Sequence, residues 1–440
     1  MPRELNPAHA NPQMSPRQSN AYVVDRISTA VRDLCQQLRR EYPEITNDLL
    51  RDVFLSAFGY SLEENTRLST SQPCFDSAFS NKKPVRVYVD GCFDIMHSGH
   101  YNALRQAKSL GDVLVVGVHS DAEISRQKGM PVMNNEERLA AVRSCKWVDE
   151  VAFDTPYTPT IELLDSLNCD FVVHGDDMPL NADGTSVYDE VKNAGRLRII
   201  QRTNGVSTTD LVGRLLTLTT DHHVCGGSPR TSVEMPEACP DAPPRKMSSS
   251  SFLATTNRIS QFSNQRTITA DDRVVYIAGS FDLFHSGHIE TLQQAKKLGT
   301  FLYVGVHDDQ TLNKMLGSNL PIMNLHERVL NVLSCRAVDE VILGAPCAIT
   351  ENLIKSLRIS VVASGGNVDD LTDCVDEHDR FAVPKSMGIH QHLVTFERLT
   401  TKDVIERIIN NRKQLEVKHA KKSFQEAIYE QENDFQVLEV

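Results

Sequence analysis

The chain has no hydrophobic run long enough to span a bilayer. Residues 1–20 are rich in Pro, Asn and Ser and lack an apolar core, so they do not look like a secretory signal. The ten cysteines include no CxxC pair, and a chain of 440 residues does not depend on disulfides for its stability. Together these absences predict free thiols in a reducing compartment and a cytoplasmic protein.

The chain also lacks an excess of positive charge: it has 46 Lys and Arg against 58 Asp and Glu, for a formal net charge of −12 at pH 7. A nucleic-acid-binding protein normally carries a basic face, so we expect no nucleic-acid partner. Nucleotide-binding enzymes stay open, since their sites need only local positive charge. The length of the chain predicts at least two domains.

The sequence contains an internal repeat. Three blocks occur twice in the same order: Val85–His100 and Arg273–His288, Pro131–Arg138 and Pro321–Arg328, Val148–Val151 and Val338–Val341. Agreement at three separate blocks predicts two copies of one fold.

Each copy alternates strand and helix signals. In the first, Arg86–Val89 and Val113–Val118 are β-branched runs, and Tyr101–Leu110 between them has helical spacing and stops at a glycine. Phe171–His174 and Leu197–Ile200 have the composition of further strands. This order predicts an α/β fold with a parallel sheet flanked by helices, whose ligands bind at the carboxyl ends of the strands.

Composition also predicts the domain boundaries. Residues 221–272 are rich in Ser, Pro and Gly and predict a flexible linker. The full division is a partly helical extension over 1–80, a catalytic domain over 81–220, this linker, a second, degenerate domain over 273–415 and a charged tail over 416–440.

The sharpest chemical signal is His97-Ser-Gly-His100, which follows a strand and opens a helix. Free backbone N–H groups and the helix dipole favour phosphate at such a place. Two imidazoles there can donate hydrogen bonds to charge that develops on a phosphate. Metal binding is the weaker interpretation, because no third ligand has suitable spacing.

A second signal is Arg202-Thr-Asn-Gly-Val-Ser-Thr-Thr209, which runs into an apolar segment. Ser207, Thr208 and Thr209 are N-cap candidates for a helix that begins there. The planar guanidinium of Arg202 can hold a phosphate in two hydrogen bonds. The string therefore predicts a second phosphate-binding element in the same copy.

The combination DGxFDxxHxGH followed by RTxGVSTT resembles the cytidylyltransferase family, and the tandem copies resemble its two-repeat members, which act on phosphoethanolamine. The resemblance covers Val85–Arg412 apart from the linker. It implies two Rossmann-like nucleotidyltransferase domains, preceded here by a small helical appendage. The implied reaction transfers CMP from CTP to phosphoethanolamine and releases pyrophosphate, with Mg²⁺ accompanying CTP.

The resemblance also implies site residues. Catalytic roles fall to His97, His100, Lys128 and Arg202. The implied nucleotide contacts are Gly91, Cys92, Phe93, His97, His100, Gly175, Asp176, Arg202, Gly205, Val206, Ser207 and Thr208. Arg138 is left open between a phosphate contact and a helix salt-bridge partner, and no residue is assigned as a metal ligand.

Asp90, Tyr157 and Tyr188 are the implied contacts of the amino alcohol. Choline-specific relatives carry a tryptophan where this chain has Tyr157. A quaternary ammonium favours a large aromatic face, whereas a primary ammonium also donates hydrogen bonds to a carboxylate or a phenol. Phosphoethanolamine is therefore expected; phosphocholine and glycerol phosphate are the alternatives within the enzyme class, and a non-catalytic nucleotide-binding regulator is the alternative outside it.

Two partner predictions complete this interpretation. The linker has no long amphipathic helix, so membrane association is expected to be peripheral at most, with the endoplasmic reticulum as the candidate membrane. A homodimer is left open.

The second copy departs from the family pattern. His285 and His288 are retained, but Leu316 stands where Lys128 is expected. Ala363–Gly366 replaces the His-Gly-Asp-Asp string, and Glu397–Thr401 lacks the Gly-Val-Ser. We therefore expect the second copy not to be an independent catalyst.

Overall fold

The computed structural model describes residues 83–176, 186–203, 206–218, 220–223, 251–366 and 380–412. The predicted helical extension over 1–80 and the charged tail over 416–440 lie outside these residues, and so does Gly205. None of the helices in the described ranges combines the length and hydrophobicity that crossing a bilayer requires.

The first repeat is built on a five-stranded parallel sheet in the order β3-β2-β1-β4-β5. Its central strands β1 and β2 are buried on both faces, which explains why consecutive residues in them are apolar and rich in valine. The strands are β1 Arg86–Gly91, β2 Val113–Val118, β3 Glu150–Phe153, β4 Phe171–Gly175 and β5 Leu197–Ile200.

Six helices connect or follow these strands, and five of them start at a His, Ser, Asn or Thr whose side chain accepts a hydrogen bond from the first turn. They are α1 Ser98–Lys108, α2 Asp121–Gln127, α3 Asn135–Ser144, α4 Ile161–Ser166, α5 Asp189–Asn193 and α6 Thr208–Thr217.

The second repeat reproduces this sheet in the order β10-β9-β6-β7-β8, again with parallel pairs. Its strands are β6 Val274–Gly279, β7 Phe301–Val306, β8 Glu340–Leu343, β9 Ile359–Gly365 and β10 His390–Leu393. Its helices are α8 Ser286–Lys297, α9 Asp309–Leu316, α10 Leu325–Ser334, α11 Glu351–Ser356, α12 Ala382–Ser386 and α13 Thr401–Asn410. The predicted pair of parallel α/β domains is confirmed.

The segment before the second sheet contains one element that the sequence did not predict. Helix α7, Ser251–Phe262, lies inside the range 221–272 that was predicted as a flexible linker. Phe262 is fully buried and packs edge-on against Trp147 of the first repeat, with ring centroids 4.9 Å apart. The many Ser and Thr residues of this helix concealed it, because its stability comes from this packing and not from helix propensity.

The two repeats contact each other about a pseudo-twofold axis. Cys145 and the corresponding Cys335 form an antiparallel bridge. Beside it, the Lys146 N–H donates to the Ser334 carbonyl (2.9 Å) and the Arg336 N–H donates to the Ser144 carbonyl (2.8 Å). Equivalent residues thus meet on the axis, as they do in a symmetric dimer.

Two reciprocal ion pairs follow the same symmetry. The guanidinium of Arg214 on α6 donates two hydrogen bonds, of 2.7 and 3.0 Å, to the carboxylate of Glu327 on α10. Arg407 of α13 grips Glu137 of α3 with bonds of 2.7 and 2.9 Å. The carboxyl-terminal helix of each repeat is therefore held against the other repeat.

Candidate active site

The candidate site lies where the strand order reverses, between β1 and β4, with β2 on the other side of β1. Ligands of open parallel sheets bind at this switch point. After Gly91 the chain turns sharply, with positive φ angles of 53° at Phe93 and 42° at Ile95. Asp94 fixes the turn, because its carboxylate accepts hydrogen bonds from the N–H groups of Val132 and Met133, both at 2.9 Å. Such strained non-glycine residues cluster at functional sites.

The two histidines of the first motif cap helix α1. The Gly99 N–H donates to His97 Nδ1 (3.2 Å), and the His97 N–H donates to His100 Nδ1 (3.4 Å). Their rings lie together, with centroids 4.0 Å apart. Because an accepting Nδ1 carries no proton, each neutral ring has its proton on Nε2 and can donate it to a phosphate oxygen.

The structure brings the second predicted motif against the first. A Cβ atom on Gly99 would lie 2.9 Å from the His97 ring and 3.2 Å from the Val206 side chain, so only glycine lets these groups pack closely. The Thr208 hydroxyl donates to the Asp94 carbonyl at 3.1 Å. The two predicted phosphate-binding elements therefore pack against each other.

Ser207 is the N-cap of α6, and its hydroxyl accepts from the Asp210 N–H at 3.0 Å, as the sequence predicted. The backbone N–H of Arg202 donates to Asp176 Oδ1 at 3.1 Å. This bond ties the second motif to the end of β4, where Gly175 is the last residue. The predicted nucleotide contacts on β4 and before α6 are thus neighbours.

Two of the predicted amino-alcohol contacts, Asp90 and Tyr188, are buried and bonded to each other. The Tyr188 hydroxyl donates to Asp90 Oδ1 at 2.7 Å. The other oxygen, Oδ2, is buried and has no hydrogen-bond partner among the described residues. Burial raises the pKa of Asp90, while nearby His119 and the Tyr188 bond act in the opposite direction. An unpartnered buried carboxylate oxygen is a site for a cationic donor.

Lys128 and Tyr157 lie together. The Lys128 ammonium is 5.1 Å from the centre of the Tyr157 ring. That ring is 5.6 Å from the His119 ring. The lysine thus lies beside the predicted amino-alcohol contact Tyr157.

Arg138 has a structural role, which resolves the alternatives left open by the sequence. It is almost fully buried at 1% exposure. Its guanidinium donates to the carbonyls of Cys92 (2.5 Å) and His119 (2.8 Å) and to Asp121 Oδ1 (2.8 Å). It therefore braces the loop after β1 and is not placed to bind phosphate.

Two polar residues of the site were missed at the sequence level. Asn102 donates to the Thr203 hydroxyl at 2.8 Å and ties α1 to the second motif. His119 follows β2 and is buried, with Nδ1 2.9 Å from the Thr155 carbonyl. A signal for His119 was present, because His307 stands at the same place in the second repeat.

Comparisons with known proteins agree with this geometry. A family model described as Cytidylyltransferase-like matches residues 88–214 and 276–395, one match in each repeat. An ethanolamine-phosphate cytidylyltransferase of Dictyostelium discoideum is 53% identical over 356 residues, which cover 80% of this chain and 98% of the relative. Proteins of the same name from Arabidopsis thaliana and Mus musculus are 44% and 43% identical, covering 80% and 79% of this chain and 87% and 92% of the relatives. This chain belongs to the ethanolamine-phosphate cytidylyltransferase family.

A choline-phosphate cytidylyltransferase A of Homo sapiens is also similar, at 38% identity over 205 residues. That match covers 46% of this chain and 53% of the relative. The tandem arrangement is thus shared over most of its length with the ethanolamine-phosphate cytidylyltransferases, and the likeness to the choline-phosphate enzyme is partial.

The second repeat retains the histidine pair, with both side chains buried. The His285 N–H donates to His288 Nδ1 at 3.3 Å, as in the first repeat. Both rings are buried, and Phe284 stacks on His288 with centroids 5.7 Å apart. Burial lowers the pKa of His285 to about 3 and that of His288 well below its usual value.

The polar residues of the first pocket are replaced in the second repeat. By position, Asp90, Lys128, Tyr157 and Tyr188 correspond to Ala278, Leu316, Cys347 and Phe381. One comparison made from sequence is wrong: strand register sets His174 against Ser364 and not Ala363, since β1 pairs Tyr88 with Val172 and β6 pairs Tyr276 with Val362.

Proposed function

We propose that the first repeat transfers CMP from CTP to phosphoethanolamine and forms CDP-ethanolamine and pyrophosphate. The observation that carries this proposal is the buried Asp90 carboxylate, which lies close to His119 and has one oxygen without a partner among the described residues. It matches the ammonium group of an amino alcohol whose phosphate end reaches the nucleotide. The names of the relatives that cover most of the chain support the same acceptor.

In this proposal the nucleophile is a phosphate oxygen of the acceptor, which is ionised near neutral pH and needs no strong general base. Catalysis then comes from in-line positioning and from neutralisation of charge on the transferred phosphoryl group. His97 and His100 donate from Nε2 to that group. Lys128 bridges the acceptor phosphate and the nucleotide as a mobile point charge.

The leaving pyrophosphate is assigned to the second motif. Arg202, Ser207 and Thr208 precede or open α6, where the helix N-terminus favours an anion. Gly91, Cys92 and Phe93 form the turn over which the nucleotide is proposed to lie, with Gly175 and Asp176 facing its base.

Mg²⁺ is proposed to enter with CTP. This ion is held mainly by phosphate oxygens and water, so it needs no cage of protein ligands. Within the described ranges no group of three His, Cys, Asp or Glu side chains is arranged to hold a metal ion. A peripheral contact with the endoplasmic reticulum membrane and homodimerisation stay predictions.

A choline acceptor is the second candidate, supported by the partial likeness to choline-phosphate cytidylyltransferase A. The pocket favours the primary ammonium, because it offers a carboxylate and a phenol and lacks a tryptophan at position 157.

The test is pyrophosphate release by the purified full chain with CTP and Mg²⁺, comparing phosphoethanolamine, phosphocholine and glycerol 3-phosphate. We expect strong preference for phosphoethanolamine, and loss of product when His97 and His100 are both changed to Ala. Preference for another acceptor would overturn the substrate assignment. CTP binding without release with any acceptor would favour the nucleotide-binding regulator, and CDP-ethanolamine formation by the double variant would show an active second repeat.

A further inference from the structure

The second repeat holds a cation of its own where the first repeat has its amino-alcohol pocket. Arg380 directly precedes the turn into α12, and its side chain is buried. One guanidinium nitrogen, Nη2, donates to the Ala278 carbonyl at 3.1 Å and lies 3.2 Å from His307 Nε2. Since a guanidinium only donates, that imidazole nitrogen is the acceptor.

The state of the His307 ring supports this reading. Its Nδ1 lies 2.7 Å from the Ala345 carbonyl, which can only accept, so Nδ1 carries the proton. Burial lowers the pKa of His307 to about 4, which keeps the ring neutral near pH 7. A neutral ring protonated on Nδ1 presents a lone pair on Nε2, and that lone pair faces a cation.

The first repeat has the same imidazole in the same bond pattern. His119 follows β2 as His307 follows β7, and its Nδ1 lies 2.9 Å from the carbonyl of Thr155, the counterpart of Ala345. The proton is therefore again on Nδ1, and Nε2 is again an acceptor. Its ring lies close to the Asp90 carboxylate.

The cation of the second pocket has no counterpart in the first. The residue that corresponds to Arg380 is Val187, which is apolar and buried. In place of Ala278 the first pocket has Asp90, with Oδ2 unpartnered among the described residues. The second repeat thus supplies a cation from the chain at this position, whereas Val187 supplies none at the corresponding position of the first repeat.

We propose that His119 Nε2 accepts a hydrogen bond from the ammonium group of phosphoethanolamine and so selects a primary over a quaternary ammonium. This inference rests on the proposed function of the first repeat and adds a specificity-determining residue to it. In this proposal Asp90 Oδ2 and His119 Nε2 both accept hydrogen bonds from the ammonium. A quaternary ammonium has no N–H group, so it leaves the buried imidazole acceptor unsatisfied, which is costly.

An acceptor series with increasing methylation of the nitrogen tests the donor count in the wild-type chain. Phosphoethanolamine and its N-methyl form carry at least two N–H groups, the N,N-dimethyl form carries one and phosphocholine carries none. With two acceptors in the pocket, we expect kcat/KM to stay close for the first two compounds. It should then fall about ten-fold at the dimethyl form and again at phosphocholine.

Two variants separate the imidazole from steric effects of the methyl groups. His119→Asn retains a polar group near Nδ1 and loses the acceptor at Nε2; we expect about a ten-fold lower kcat/KM with phosphoethanolamine, an unchanged KM for CTP and no fall between the monomethyl and dimethyl acceptors. His119→Gln, whose amide reaches further, should restore part of that fall. His307→Asn is the matched control in the second repeat and should leave the order of acceptors unchanged.

The results of these series separate failure of the role of His119 from failure of the proposed function. A His119→Asn series that runs parallel to the wild-type series, or a loss equal for all acceptors, would overturn the role of His119. If the variant does not fold, a wild-type series without a fall before phosphocholine would do the same. Absence of turnover by the wild-type chain with every amino-alcohol acceptor would refute the proposed function itself.

Discussion

Replacing Asp90 by Asn is the sharpest test of the proposed pocket. The change keeps the shape of the side chain and leaves an oxygen that accepts the Tyr188 hydroxyl, which now lies 2.7 Å from Oδ1. It removes the negative charge and replaces the unpartnered Oδ2 with an amide donor, where Asp90 is 7% exposed. The loss therefore measures the ionic attraction for the acceptor's ammonium group together with the hydrogen bond that Oδ2 accepts from it.

The size of the effect follows from Coulomb's law. A carboxylate and an ammonium about 4 Å apart attract each other by about 4 kcal/mol at an effective dielectric constant of about 20. A difference of about 1.4 kcal/mol is ten-fold, so Asp90→Asn should lower kcat/KM for phosphoethanolamine by about a thousand-fold. Affinity for CTP should hardly change, because the nucleotide is assigned to the neighbouring elements.

The assay is steady-state pyrophosphate release at saturating CTP with varied phosphoethanolamine, together with thermal unfolding and CTP binding of the variant. Glu351→Gln is the matched control, since it also neutralises a carboxylate but lies in an exposed pair with Lys355. A loss of less than ten-fold in a folded, CTP-binding Asp90→Asn protein would refute the assignment of the ammonium to Asp90.

Three further predictions follow from the same contacts. Burial raises the pKa of Asp90, and only the ionised carboxylate attracts the ammonium; kcat/KM should therefore fall as the pH drops through a value above the usual range of Asp, and a pH profile of Asp90→Asn should lack this limb. Gly99→Ala places a methyl group 2.9 Å from the His97 ring, so kcat should drop strongly in activity assays. Denaturant unfolding should show a free energy of unfolding lower by about 1–3 kcal/mol. Arg214→Met leaves the Glu327 carboxylate, 10% exposed, without its guanidinium; we expect a loss of about 3 kcal/mol in denaturant unfolding, and an unchanged midpoint would contradict the pair's role at the repeat interface.

The fold was predictable from the sequence because two independent signals coincide. The sequence predicts the strand Val113–Val118 with the bounds that the structure has, and the repeat shows the same pattern a second time. Helix α1 starts at Ser98, where the motif His97–His100 predicted that a helix opens, and the His97 ring caps it. That cap is a side-chain contact, which periodicity does not reveal.

The parts of the site that the sequence missed depend on contacts across the fold. His119 lies between β2 and α2 far from either motif, and only the sheet brings it beside Asp90. Arg138 looked like a phosphate contact as readily as a structural residue until its hydrogen bonds to the Cys92 and His119 carbonyls were seen. Helix α7 was missed because its stabilising contact, between Phe262 and Trp147, joins distant segments.

Comparison of the two repeats separates residues that hold the fold from residues that serve chemistry. Positions at the repeat interface agree in type: the ion pair of Arg214 with Glu327 recurs as that of Arg407 with Glu137, and cysteine meets cysteine on the axis. The turn after each first strand is also held alike, by an aspartate that binds two backbone N–H groups.

The residues of the two pockets differ in type. Asp90 corresponds to Ala278, and in the second repeat Arg380 occupies the place that is proposed to take the ammonium in the first. The interface buries apolar helix faces of the first repeat, including Leu211 and Leu215. The second repeat covers those faces and, through the pair of Glu327 with Arg214, holds α6, the helix whose N-terminus is proposed to bind the leaving pyrophosphate.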